Sequence, residues 1–379
     1  MTLAHSMRKK LTRQQSGTQY RTFLQLLHLD LTLLTLIALI ITFGLFILYS
    51  AGNQSTSIIY SQLAHVFLAT VIMLVLAQIP PWCYERWAPW FYGFSLIALF
   101  AVLIIGHISL GAQRWINLGI IRFQPSDLMR LAIPLVLAWY FAKRELPPTG
   151  KDLCIAAVII IIPAMITAKE PDLGSAIIIV AGGLCILLFA GMRWRLILGL
   201  GALFAVTTPF IWHVMHAYQK QRVLTFLNPE RDPLGSGYHI IQSKIAIGSG
   251  GIFGKGWMHG TQSHLHFLPE HATDFIFAVS GEELGFIGCS LLLTIYLLIV
   301  ARCLFIASQA QDTFSRLLAG GLGLLFFVSV FVNMGMVTGI LPVVGLPLPL
   351  ISYGGSSMLT LLAGFGILMS IHRHKKLMK

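Results

Sequence analysis

Charge is what this chain lacks. Only 11% of its 379 residues are Asp, Glu, Lys or Arg, less than half of the roughly 25% usual in water-soluble domains. With 56% hydrophobic residues and a mean hydropathy of +0.79, the composition excludes an ordinary soluble globular protein and points to a polytopic membrane protein. Acidic residues are scarcest, 14 against 26 Lys and Arg. In a soluble chain the resulting +12 would suggest nucleic acid; here it belongs to cytoplasmic loops and anionic headgroups, and no nucleic-acid partner is expected. Cysteine is also sparse. Cys83, Cys154, Cys185, Cys289 and Cys303 lie in or beside apolar segments without metal-ligand spacing, so no disulfide framework is expected. No Gly-Lys-Ser/Thr follows the spacing of a nucleotide-binding P-loop. The basic N-terminus precedes an apolar run long enough to span, so no cleavable signal is read there. Low-complexity runs and clear internal repeats are absent from the sequence.

What is present is a series of apolar runs. A bilayer needs about 20 such residues per helix, and the sequence predicts spans near 29–49, 62–79, 90–107, 126–141, 153–167, 173–190, 196–214, 274–301, 315–338 and 352–371. The expected fold class is therefore an all-α bundle of ten transmembrane helices. Residues 1–28 form a basic tail, 29–214 the first seven spans, 215–272 a large polar loop, 273–371 the last three spans and 372–379 a second basic tail. Ten spans put both termini on one side. Seventeen of the 26 Lys and Arg residues fall there, among them Arg8, Lys9, Lys10, Arg86, Lys143, Arg144, Arg193, Arg195, Arg302, Arg373 and Lys376. Short basic loops face the cytoplasm, which makes the loop between the seventh and eighth spans extracytoplasmic. The run 341–350, with Pro342, Pro347 and Pro349, cannot be a regular helix and is too apolar for an open loop. A broken or re-entrant segment facing protein is the expectation.

Two outer-face regions carry candidate chemistry. Gly111–Gly119 and Arg122–Arg130 contain Arg114, Trp115, Asp127 and Arg130; interfacial anchoring accounts for the Trp and Arg, and Asp127 with Arg130 has the i, i+3 spacing of a helical ion pair. The large loop is rich in glycine and carries Arg231, Lys244 and Lys255. Glycine admits an anion close to backbone N–H groups and lysine adds charge, so an anionic, phosphate-bearing ligand fits, as does plain loop flexibility. Its last residues, Phe267-Leu268-Pro269-Glu270-His271-Ala272-Thr273-Asp274-Phe275-Ile276-Phe277, are the focus. Asp274 stands where water gives way to hydrocarbon, a costly place for charge. One reading gives Glu270 and Asp274 a shared helical face; another makes Thr273 or Asp274 only a helix N-cap. His264, His266 and His271 nearby invite a zinc site, but a weakly held Mg²⁺ or Mn²⁺ at Asp274 suits carboxylate and phosphate oxygens better. From these residues two classes remain open: an outer-face enzyme acting on an anionic lipid-linked substrate, and a transporter.

The motifs Gly111-Ala112-Gln113-Arg114-Trp115, Arg122-Phe123-Gln124-Pro125-Ser126, Glu170-Pro171-Asp172-Leu173-Gly174, Phe226-Leu227-Asn228-Pro229, Gly237–Gly251, Leu268–Phe277 and Ile351-Ser352-Tyr353-Gly354-Gly355-Ser356-Ser357 together resemble those of the SEDS (shape, elongation, division and sporulation) family. The run His259-Gly260-Thr261-Gln262-Ser263 is closer to its elongation branch, RodA, than to its division branch, FtsW. The resemblance implies a peptidoglycan glycosyltransferase of the bacterial cytoplasmic (inner) membrane. Such an enzyme polymerises lipid II at the outer face for cell elongation and rod-shape maintenance, inverts the anomeric centre and releases undecaprenyl pyrophosphate. It works with a class B penicillin-binding protein and other membrane proteins of the elongation complex. The implied catalytic residue is Asp274. Lys244, Arg114, Trp115, Arg231, Glu270, Asp127 and Arg130 are the substrate-binding candidates. A flippase for the lipid-linked precursor and the division branch are the alternatives. Three positions depart from the family pattern: Asp127 replaces its usual Glu, Arg130 its usual Lys, and Ala272 the His before Thr-Asp. Small residues Gly285, Gly288, Gly320 and Gly321 are expected to admit a partner helix along the eighth and ninth spans.

Overall fold

The computed structural model describes residues 29–374 except 110–111, 118–121, 216, 232–235, 266 and 268–269. Among the described residues ten helices have 17 residues or more: α1 Leu31–Ala51, α2 Thr56–Leu76, α3 Pro81–Ile105, α4 Pro125–Ala142, α5 Gly150–Lys169, α6 Leu173–Phe189, α7 Trp194–Val214, α11 Ile276–Gln309, α12 Thr313–Thr338 and α13 Gly355–His374. Between α7 and α11 lie the shorter α8 Ala217–Leu227, α9 Ser236–Gly250 and α10 Thr261–His264. Seven of the long helices (α1, α2, α3, α5, α11, α12 and α13) are long and apolar enough to cross a membrane, and α6 is a shorter apolar helix. The chain is a multi-pass membrane protein. Its burial pattern fits that solvent: Phe67, Ile97, Ile104 and Phe286 are exposed, whereas Asp127, Glu170, Asp172, Glu282, Glu283 and Asn333 are buried.

One region departs from the all-α expectation. After α3 the chain forms strands β1 His107–Ser109, β2 Ala112–Asn117 and β3 Arg122–Phe123. They pair antiparallel in the order β1-β2-β3, with Trp115 opposite His107 and Ile116 opposite Phe123. Strands of two to six residues are too short to leave an alternating pattern in the sequence.

Helix ends follow local chemistry. Asp30 caps α1 by accepting from Leu33 N–H and also pairs with Arg302 of α11 at 2.8 Å. Thr149 and Asp152 form a reciprocal capping box at the start of α5, satisfying two otherwise orphaned donors. Asp172 caps α6 through Ser175 N–H, and Asp312 caps α12 through Ser315 N–H. The C-terminus of α12 closes on Gly339 in the left-handed conformation, φ 76°. Helix α12 packs against α11, α6 and α4, and Gly320 and Gly321 lie in that contact. A Cβ at Gly320 would meet Phe189 at 2.8 Å, and one at Gly321 would meet Ile186 at 2.1 Å. Both glycines admit the chain's own α6, so the expectation that they receive a partner helix is overturned.

Helix α11 is interrupted at Gly285, whose φ of 65° and ψ of −161° are not helical. The break is stitched by the loop after α9. Lys255 and Gly256 N–H donate to the carbonyls of Glu282 and Glu283, while Phe286 and Ile287 N–H donate to the carbonyls of Gly251 and Ile252. The backbones come so close that a Cβ at Gly254 would stand 2.1 Å from the Glu283 carbonyl oxygen. Side chains lock the arrangement. Fully buried Glu282 accepts from Lys255 Nζ at 2.7 Å, from Thr261 N–H and Oγ1, and from Gln262 N–H. Ser50 of α1 donates to Glu283, and Trp257 stacks on Phe46 of α1 at 4.4 Å.

Gly254→Ala is therefore expected to lower the thermal unfolding midpoint in detergent, with a cost of about 1–3 kcal/mol from overpacking and a disallowed φ. An unchanged midpoint would mean that the loop does not thread the helix break. Glu282→Gln keeps the shape but removes the charge held by Lys255. Limited proteolysis between residues 255 and 262 should accelerate several-fold, and a cleavage rate equal to the parent's would rule out the clamp.

Candidate functional site

The turn bearing Asp274 precedes α11 and is not part of it. The helix begins at Ile276 with Phe275 at the N-cap and no side-chain cap bond. Neither Thr273 nor Asp274 occupies the cap, and Glu270 and Asp274 do not share a helical face. Glu270 instead adopts a left-handed backbone, φ 52°. Its carbonyl accepts from Thr273 and Phe275 N–H, and its carboxylate accepts from Thr273 Oγ1 at 2.7 Å. The exposed Glu270 side chain is thus tied to the turn one residue before Asp274.

Three successive carbonyls of this turn are held from the bundle. Tyr353 N–H donates to Ala272 O at 2.9 Å, Ser352 Oγ to Thr273 O at 2.5 Å, and Asn333 Nδ2 to Asp274 O at 2.9 Å. Asn333 Nδ2 also donates to Leu346 O at 2.6 Å, and Leu348 N–H donates to Ser352 Oγ. Residues 341–350 run without helix through the protein, with Leu346, Leu348 and Leu350 buried. Tyr296 of α11 donates to Pro349 O at 2.6 Å. A Cβ on Gly345 would lie 3.4 Å from Asp274 Oδ2, so this segment walls one side of the half-buried carboxylate.

The same segment gathers the other motifs. A Cβ at Gly174 would stand 2.6 Å from Val344 O, which places the Glu170–Ser175 turn against it. Asp172 Oδ2 accepts from Gln124 Nε2 at 2.8 Å. Buried Asp127 pairs with Arg130 at 3.1 Å and accepts from Ser356 Oγ at 2.6 Å; Arg130 in turn donates to Ser175 Oγ at 2.7 Å. Gln62 of α2 donates to Ser352 O and accepts from Gly354 N–H. The turn 352–356 therefore touches both the Asp127–Arg130 pair and the Asp274 turn. The shorter acid of this chain still reaches its partner because arginine is longer and presents a fork of donors.

Lys244 on α9 is exposed, and its ammonium lies over Gly339: a Cβ there would be 2.7 Å from Nζ. Beside it, Ser243 Oγ donates to Val337 O. A cation at the carbonyl end of α12 complements the helix dipole, typically by 0.3–1 kcal/mol, so Lys244 has a structural task whatever else it binds. His239, also on α9, stacks on Phe275 at 5.7 Å. Burial lowers its imidazole below the ordinary value of 6.5, and the Glu270 carboxylate opposes the shift. Trp115 stands half-buried on β2. The side chains of Arg114, Arg231 and His264, and all of His266, lie outside the described residues. Among the described residues no group of three His, Cys, Asp or Glu is arranged to hold a metal ion.

Asn333, Ser352 and Gln62 are the functional-site residues that sequence reasoning missed. Asn333 did leave a signal, as an uncharged amide in an apolar span is costly unless it bonds across helices. Gln62, at the head of a predicted span, left the same signal, and Ser352 lay inside a singled-out motif, but neither pattern showed what the side chain would bind.

The chain is similar to known proteins. Residues 24–377 match the cell cycle protein family of FtsW, RodA and SpoVE. Peptidoglycan glycosyltransferase MrdB of Escherichia coli (strain K12) is 52% identical over 359 residues, covering 94% of this chain and 97% of that one. A probable peptidoglycan glycosyltransferase FtsW of Trichlorobacter lovleyi is 39% identical over 93% of this chain and 95% of its own. Among solved structures, a chain of a peptidoglycan synthase complex that coordinates polymerization and crosslinking superposes with a TM-score of 0.81 at 35% identity, covering 92% of this chain and 98% of that chain. The rod shape determining protein RodA of Thermus thermophilus gives 0.70 at 29% identity, over 92% and 97%. The chain belongs to the FtsW, RodA and SpoVE family of cell cycle proteins.

Proposed function

We propose that this protein is a peptidoglycan glycosyltransferase that polymerises lipid II at the outer face of the bacterial cytoplasmic membrane during cell elongation. The observation that carries the reading is the convergence of four distant motif segments on the clamped turn of Asp274. The 52% identity to MrdB supports the substrate and the elongation branch over the division branch. In this reading all ten long helices cross the membrane, both basic tails are cytoplasmic, and the loop between α7 and α11 is outside, in line with the Lys and Arg asymmetry.

Asp274 acts as general base. Its carboxylate takes the proton of the 4-hydroxyl of the lipid II N-acetylglucosamine. The freed oxygen attacks the anomeric carbon of the growing chain's terminal sugar. A new C–O bond forms as the bond to undecaprenyl pyrophosphate breaks, and the pyrophosphate leaves with the electron pair. The centre inverts. One base suffices because cations stabilise the departing pyrophosphate without a proton. Lys244 is the leading candidate for that contact, with Arg114 and Arg231 next. Glu270 tunes or supports the base, and the Asp127–Arg130 pair positions the turn from below. A bound Mg²⁺ or Mn²⁺ ion would supply further charge neutralisation, and Asp274 is the carboxylate that would hold it, though a single protein carboxylate is a sparse donor set for such an ion.

The partner is a class B penicillin-binding protein, whose membrane helix lies in the apolar groove between α11 and α12. Phe277, Leu293, Leu297, Phe327 and Phe331 line that groove. The neighbouring chain's membership of a peptidoglycan synthase complex supports the existence of such a partner, and the apolar lining of the groove is what suggests its seat.

Purified Asp274→Asn protein, given lipid II and no other polymerase, is expected to fold but make no glycan polymer, while Glu270→Gln keeps partial activity. Polymer at near-parental rate from Asp274→Asn would remove it from the mechanism; transbilayer movement of lipid II without polymer, in the parent protein, would favour a flippase. Lys244→Ala should reduce turnover at limiting lipid II about tenfold or more, the scale of one lost charge-assisted hydrogen bond, and shift the thermal midpoint only slightly. Unchanged turnover would leave Lys244 with its helix-end task alone. Single cysteines at Ser236 and Lys376, in a cysteine-free background, should label from opposite sides of intact cells, and same-side labelling would reject the topology.

A further inference from the structure

Asn333 is fully buried in α12. Its Nδ2 carries two protons, and both are used: one on Asp274 O at 2.9 Å and one on Leu346 O at 2.6 Å. The orientation of the amide is dictated by these partners, since turning it over would set Oδ1 against two carbonyl oxygens. Oδ1 itself is buried with no hydrogen-bond partner among the described residues. Burying an amide oxygen in this way costs free energy, so the residue is justified by what its nitrogen does.

What the nitrogen does is join two non-helical segments. Asp274 belongs to the turn before α11, and Leu346 to the proline-rich run. Gly345, next to Leu346, faces Asp274 Oδ2. One amide group on a rigid helix therefore fixes the backbone of the carboxylate-bearing residue and, in the same stroke, the wall opposite its carboxylate. Ser352 and Tyr353 hold the two preceding carbonyls, Ser352 also accepting from Leu348 N–H of the wall, and Asn333 ties the carbonyl of Asp274 itself to Leu346.

We infer that Asn333 is a positioning residue for glycosyl transfer: it sets the reach and direction of the Asp274 carboxylate without touching the substrate. This rests on Asp274 acting as the base. A general base must come within about 3 Å of the proton that it takes, and a displacement of about 1 Å costs on the order of 100-fold in rate. Substrate affinity depends on contacts spread over the whole lipid-linked sugar and does not share that sensitivity.

The test uses full-length Asn333→Asp and Asn333→Ser in detergent with lipid II. Asn333→Asp keeps the shape and loses at least one of the two donors, a buried protonated carboxyl retaining a single O–H. Asn333→Ser is smaller, returns its hydroxyl to its own helix, and covers the case in which the Asp variant does not fold. In folded protein, kcat is expected to fall about 10- to 100-fold with KM within about threefold of the parent. Turnover within twofold of the parent in a folded variant overturns the inference. So does a loss carried by KM, or one that matches only the fraction of folded protein. Asp274→Asn runs alongside. If it polymerises, the base assignment itself has failed; if it is inactive while Asn333→Ser turns over normally, only the positioning role has failed.

Discussion

A stretch of non-helical backbone inside a membrane protein must find a partner for nearly every N–H and C=O it carries, because hydrocarbon offers none. Residues 341–350 meet that demand from two directions. Pro342, Pro347 and Pro349 have no N–H to satisfy. Two of its carbonyls are met by side chains from the surrounding helices, Asn333 on Leu346 and Tyr296 on Pro349, and that of Leu348 by the N–H groups of Ile351 and Ser352. Each such bond across helices is worth roughly 0.6–2 kcal/mol, whereas leaving the carbonyl bare costs more. The rest of the arrangement depends on this segment being held in place.

Because it is held, it can serve as a wall. Asp274 lies on an irregular turn, which would ordinarily be a poor place for a group that must act at fixed distance. The turn borrows rigidity from three helices: α12 through Asn333, α2 through Gln62 acting on Ser352, and α4 through Asp127 acting on Ser356. Residues 62, 127, 174, 274, 333 and 352 are far apart in the chain and adjacent in their bonding. A loop-borne carboxylate thus gains the precision of a helix-borne one.

Much of this was legible in the sequence and some was not, for identifiable reasons. Apolar run length finds all ten long helices, with ends off by up to nine residues where α3 begins at Pro81 and not near 90, because membrane helices have little freedom of composition. The i, i+3 spacing of Asp127 and Arg130 gives their ion pair directly. The proline-rich segment reads as irregular because proline permits nothing else. By contrast, the start of α11 at Ile276 is set by the tertiary holds on Ala272, Thr273 and Asp274, which no local pattern records. Glycine spacing in α12 signals a close helix approach correctly but cannot say to which helix; Phe189 and Ile186 of the chain's own α6 fill the space. Lys244 reads as an anion ligand by charge, and only geometry reveals that it also covers the end of α12.

The loop threaded through the break in α11 bears on how the chain is made. Residues 250–256 leave the ribosome before residues 276–309, so the loop emerges ahead of the helix that it must complete. Until α11 inserts, the carbonyls of Gly251 and Ile252 have no Phe286 and Ile287 to receive from, and Lys255 has no Glu282. These bonds can close only after the eighth long helix has arrived. The loop and the bundle are consequently finished together, and the Asp274 turn, which lies between the two, takes its shape late in synthesis.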